Sequence, residues 1–200
     1  MCDRVRVVSC DSPTLLLAFV RGRLSQRKDR LLAVAFCSVI RDLILDEHRQ
    51  NAIDVAEAFA DGLASPDELR VTFDRLIQYR SSDAYVIAAE SARYCVQPNS
   101  PFASMLTLQR ALSASAYRKS LDVDTPWYVQ IVHDIVGNPF HPVTDSSIAN
   151  SSIYQEVQAI YAERAFERLP SLANALEESG YSVLSVLDHL WGPGAHVRGC

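Results

Sequence analysis

Residues 31–45 read LLAVAFCSVIRDLIL, and twelve of these fifteen are apolar. The three exceptions, Ser38, Arg41 and Asp42, share one narrow face at helical spacing. A helix that is apolar almost all round has to be enclosed by other elements. The run is shorter than the about 20 apolar residues a bilayer span needs, and Arg41 falls inside it. It predicts the central helix of an all-α bundle, with the rest of the chain packed around it.

The flanking sequence supplies the other elements. Ser12-Pro13 pairs an N-cap residue with proline at the first helical position, ahead of Leu15, Leu16, Phe19 and Val20. Ser25 can cap the apolar helix and Asp46 a third, in which Ala52, Val55, Ala56, Phe59 and Leu63 recur at helical spacing. Ser65-Pro66-Asp67-Glu68 is a capping box opening a fourth. Further helices are predicted over 83–97, 102–119, 125–136, 153–166, 170–178 and 183–191. Thr125-Pro126 reads as a helix start after a break at 122–126. Gly137-Asn138-Pro139-Phe140-His141-Pro142 reads as a rigid corner, because two prolines and a glycine cannot continue a helix. The expectation is nine to ten helices, in subdomains 1–120 and 121–200 or in one continuous domain.

Charge and cysteine usage narrow the class further. The net charge is −5, yet residues 1–30 carry seven basic groups against three acidic ones. An acidic chain lacks the strongly basic footprint of a general nucleic-acid binder. The five cysteines are widely scattered, and Cys37 lies within the apolar helix, a usage that fits a reducing cytoplasm better than a disulfide framework. No secretory leader and no membrane span are expected.

Several segments resemble a large paralogous family of all-helical bacterial proteins expanded in planctomycetes. They are RKDRLLAVAFC at 27–37, AEAFADGLA at 56–64, DIVGNPF at 134–140, AIYAERAFERLP at 159–170 and GPGAHVRGC at 192–200. The resemblance implies a shared helical fold and brings no reaction with it.

Three constellations carry chemistry. His189, His196 and Cys200 offer two imidazoles and a thiol for Zn²⁺, whose tetrahedral shell takes four such ligands, so the sequence leaves one place unfilled. His133-Asp134 and His141 flank the Gly137–Pro142 corner and offer an acid/base pair, although His133 and Asp134, being adjacent on a helix, point to different faces. Arg21, Arg23, Arg27, Lys28 and Arg30 form a short basic stretch suited to an anion or an acidic protein face. No phosphate loop, nucleophile elbow or dinucleotide fingerprint occurs. The leading expectation is a non-enzymatic protein that associates with itself or another protein, with no catalytic residue and no cofactor. The alternatives are a metal-binding or hydrolytic helical protein using His189/His196/Cys200 or the His133–His141 corner, and a nucleic-acid accessory protein using residues 21–30.

Overall fold

Local capping chemistry sets most of the helix starts. Ser12 Oγ accepts from the Leu15 amide, Ser25 Oγ from Lys28, and Asp46 Oδ1 from His48 and Arg49. Ser65 and Glu68 close the reciprocal capping box, each side chain bonding the other's amide. The computed structural model describes residues 10–78, 86–98, 102–137, 151–194 and 196–200. Among these the fold is all-α: ten α-helices, two short 3₁₀ turns and no strand. In chain order they are α1 (Pro13–Val20), α2 (Gln26–Val39), α3 (Glu47–Ala60), α4 (Pro66–Gln78), α5 (Val86–Cys95), α6 (Ala103–Tyr117), α7 (Leu121–Val136), α8 (Ser151–Glu163), α9 (Leu169–Glu178) and α10 (Leu184–Trp191). None is long and apolar enough to cross a membrane.

Helix α2 is buried from Asp29 to Cys37 and packs against α3, α5, α6 and α7. Ser25 caps it as expected, so it opens at Gln26 ahead of the apolar run, but it differs from the predicted 31–45 helix in stopping at Val39, where the chain tightens into a 3₁₀ turn at Arg41–Leu43. That turn keeps Ile40 and Ile44 in the core while Arg41 reaches Asp54 and Asp42 meets Arg118. Phe36 is fully enclosed and meets the Tyr128 ring edge-on at 5.8 Å.

Helix α7 corrects a second expectation. It begins at Leu121 and carries Pro126 inside it, so 122–126 is no break. Proline at the sixth position removes one amide donor, and the Asp122 carbonyl that loses it lies on an exposed residue, where water can serve. Residues from α7 (Tyr128, Ile131, Val132, Ile135) belong to the larger core with α1–α6. A second apolar cluster (Ile153, Ile160, Leu169, Leu172, Ala173, Leu176, Leu187, Leu190) lies within α8–α10. The change from one cluster to the other falls after α7.

Candidate metal centre

The tail after α10 returns to the larger core. Val197 packs on that core, and its amide donates to Asp134 Oδ2 at 2.8 Å. Gly199 is buried with φ +105°, and a β-carbon there would stand 2.9 Å from Leu31 Cδ1 and 3.3 Å from Leu31 Cβ. Only glycine combines that backbone conformation with so close an approach. The tail is thus docked on the larger core. It carries His196 and Cys200 to the C-terminal turn of α7, where Asp134 waits, and α10 brings His189 to the same point.

Four donor atoms converge there. Asp134 Oδ1 lies 2.9 Å from His196 Nδ1 and 3.4 Å from His189 Nε2. Cys200 Sγ lies 2.9 Å from His189 Nε2 and 3.6 Å from His196 Nδ1, and all four atoms fall within 4.8 Å of one another. The sequence offers three of these donors, and the fold adds Asp134 as a fourth candidate. In the sequence Asp134 reads as half of an acid/base pair with His133, its neighbour on the helix, and His141 lies outside the described residues. The two imidazoles meet edge-on with centroids 4.9 Å apart.

The donors sit in a partly enclosed setting. The Asp134 and His196 side chains are nearly buried, at 5% and 8% exposure, while His189 retains 35%. His196 Nε2 is buried with no hydrogen-bond partner among the described residues. A buried, unsatisfied ring nitrogen costs about 1–3 kcal/mol, so the ring is held from its Nδ1 side. Burial lowers the His189 pKa, against the pull of the Asp134 charge. Burial, then the Asp134 charge and hydrogen bond, push the Cys200 thiol up to about 12, with the Lys28 ammonium opposing them. Lys28 itself donates to the Ile135 carbonyl at 2.7 Å.

The tail's other face joins an ionic cluster. Arg198 contacts Glu57 Oε2 in α3 at 3.1 Å and Oδ2 of Asp61, the C-cap of that helix, at 3.6 Å. Arg164 also pairs with Glu57, and Arg27 with Asp61 at 2.8 Å. Tyr161 donates to Asp61 Oδ1 at 2.8 Å and lies under the Arg198 guanidinium; burial raises its phenol to about 12. Alternating tail residues thus serve two neighbouring sites.

No family model, curated protein or solved structure matches the chain.

The basic stretch is largely engaged inside the fold. Arg30 is buried and donates to the Cys95 and Gln97 carbonyls, Arg27 is taken by Asp61 and Tyr161, and Lys28 by Ile135. Arg21 lies 4.0 Å above the Phe102 ring and Arg23 5.0 Å above Phe19. Arg27, Lys28 and Arg30 thus have partners within the fold that the sequence does not reveal, while Arg27 keeps 45% of its side chain exposed.

Proposed function

We propose that the chain is a metal-binding helical protein in which Asp134, His189, His196 and Cys200 hold one Zn²⁺ that fastens its C-terminal tail. The supporting observation is the size of the donor polyhedron. Zn–N and Zn–O bonds of about 2.0–2.1 Å and a Zn–S bond of about 2.3 Å give tetrahedral edges of about 3.3–3.6 Å. Four of the six edges here run from 2.9 to 3.6 Å and all six stay within 4.8 Å, so the donors form a cluster of that size, though not a regular shell. Donor chemistry agrees, since thiol and imidazole suit Zn²⁺ and a cation would replace the proton that Cys200 otherwise keeps. Asp134 Oδ2 is already fixed by the Val197 amide, as outer-shell hydrogen bonds fix metal ligands. Four protein donors complete a tetrahedron, the mark of a structural rather than a catalytic zinc site.

The test is direct binding. Metal-free full-length protein titrated with Zn²⁺ against a chromogenic chelator should take up one equivalent. Co²⁺ in its place should show tetrahedral visible bands and a thiolate charge-transfer band that Cys200→Ser abolishes. Uptake that survives both His189→Ala and Cys200→Ser would reject this site.

Association with another protein or a second copy is the other reading, and one feature favours it. Tyr117, Leu121, Val123 and Trp127 are exposed around the α6–α7 junction, Val123 at 67%. Exposed apolar groups close together mark contact surfaces. Light scattering across a concentration series, with Trp127→Ser as comparison, tests it: a monomer at every concentration and no partner lost on substitution would reject this surface.

A further inference from the structure

A second sulfur pair lies far from the tail in sequence and rests on its own observation. Cys37, in α2, and Cys95, the last residue of α5, are separated by 58 positions, yet their Sγ atoms stand 3.3 Å apart. Both are fully enclosed. Two sulfurs at that distance are inside their ordinary contact separation, and a disulfide needs them about 1.3 Å closer still.

The helices are held in that register by other contacts. Arg30, two turns before Cys37, donates to the Cys95 and Gln97 carbonyls at the end of α5. Thr107 Oγ1 lies 3.8 Å from Cys95 Sγ and closes the remaining side. The other described cysteines are occupied elsewhere: Cys10 Sγ lies 3.7 Å from the Ser12 carbonyl oxygen, and Cys200 contacts His189.

We propose that Cys37 and Cys95 are a latent disulfide, closed by exchange with a small-molecule disulfide while the chain folds and then sealed inside the core. The exchange balances in two steps. One cysteine thiolate attacks the small disulfide, forming a mixed disulfide and releasing one small thiolate. The second cysteine thiolate then attacks the first cysteine's sulfur and releases the other. Two protein thiols are oxidised, one small disulfide is reduced, and both thiol protons end on the released small thiols. In the folded protein the pair is shut away from this chemistry, because the thiolate is the attacking form and burial drives the Cys37 thiol well above its usual range. Folding is therefore the time at which the bond is made, and the same enclosure protects it from reductants afterwards.

The experiment refolds the reduced, denatured full chain in a reduced/oxidised glutathione buffer. It is quenched by alkylation under denaturing conditions, and the linked peptides are mapped by mass. The expected product is two hydrogens lighter than the reduced chain, linked Cys37–Cys95, with an unchanged helical circular dichroism spectrum. It melts higher than the reduced form by about 5–15 °C, as closing a long loop implies. The already folded reduced chain in the same buffer should form the bond far more slowly. Linkage mainly through Cys2, Cys10 or Cys200 would overturn the proposal. So would a Cys37–Cys95 product that melts below the reduced form, or a folded chain that oxidises as fast as a refolding one.

Discussion

Asp134 Oδ1 and His196 Nδ1 stand 2.9 Å apart although 62 residues separate them along the chain. The same carboxylate takes the Val197 amide on its other oxygen, so one side chain near the end of α7 positions both a ring and the backbone of the tail. A hydrogen-bonded ion pair would need only His196. The approach of His189 and Cys200 to the same carboxylate is what makes the group a candidate ligand set.

Asp134→Asn separates those two jobs. The amide can keep an oxygen toward the Val197 N–H, so the tail remains docked, but it is a far weaker metal ligand than carboxylate. Zinc affinity should fall by more than the about 10–100-fold typical of outer-shell changes. Competition titration against a chelator reads the loss, and an unchanged constant would remove Asp134 from the shell.

Chelation should destabilise the full chain and leave a chain stopped after Trp191 indifferent. A ligand present at 100 times its dissociation constant stabilises the native state by about 2.7 kcal/mol. For a chain of this size that corresponds to about 5–10 °C in melting temperature. The shortened chain should melt lower than the full one, since it lacks Val197 and the Arg198 contacts with Glu57 and Asp61. Equal chelator shifts in the two proteins would show that any stabilising metal sits elsewhere.

Gly199→Ala should act on the tail from a distance. Its new β-carbon would stand 2.9 Å from Leu31 Cδ1, and φ +105° strains any L side chain. The expected cost is about 1–3 kcal/mol, accompanied by weaker Zn²⁺ binding, although residue 199 contributes no donor atom. Urea denaturation and zinc titration of one preparation measure both; loss of stability with full affinity would uncouple docking from the metal site.

What the sequence disclosed follows the reach of each interaction. The caps at Ser12, Ser25, Asp46 and Ser65 are legible because each bonds an amide two or three residues away. His189, His196 and Cys200 stand out as ligand types, within twelve residues of each other. Asp134 does not, because its place in the set depends on how α7 packs against α10 and the tail. The partners of Arg27 and Arg30 are hidden for the same reason: in the sequence they are cations in a basic run, and in the fold they bond groups 34 and 65 residues away. By local rule Pro126 marks a helix start, but Asp124, Tyr128, Ile131 and Ile135 bury one face of a helix that runs through it.

Core truncations test the enclosure of α2. Phe36 and Ile40 are fully buried, so Phe36→Ala should cost about 3–5 kcal/mol and Ile40→Ala about 2–5 kcal/mol. The Phe36 change also removes the edge-on contact with Tyr128. Chemical denaturation gives both values, and a cost below about 1 kcal/mol at either position would mean that the side chain is not enclosed.

The last prediction concerns acid. Burial pushes the Asp124 carboxyl up, but hydrogen bonds from Ser115, Ser120 and Arg118 outweigh it, and the group ends below the usual carboxylate range. Arg118 is shared with Asp42 at 2.7 Å, so this pair ties the 3₁₀ turn after α2 to the first turn of α7. A carboxyl with a depressed native pKa binds protons less readily when folded than when unfolded. Its contribution is complete above the unfolded value of about 3.9 and disappears as the pH drops through the lower native value. Stability should therefore decline as the pH is lowered below about 5, and Asp124→Asn should lose that part of the decline. At pH 6 the variant should be the less stable protein, and the gap between the two should narrow as the pH falls below about 4. Urea midpoints for both proteins in excess chelator, which removes metal-ligand protonation from the comparison, supply the measurement. A gap between them that stays constant from pH 6 to pH 3 would show that the Asp124 charge is not what joins the turn to α7.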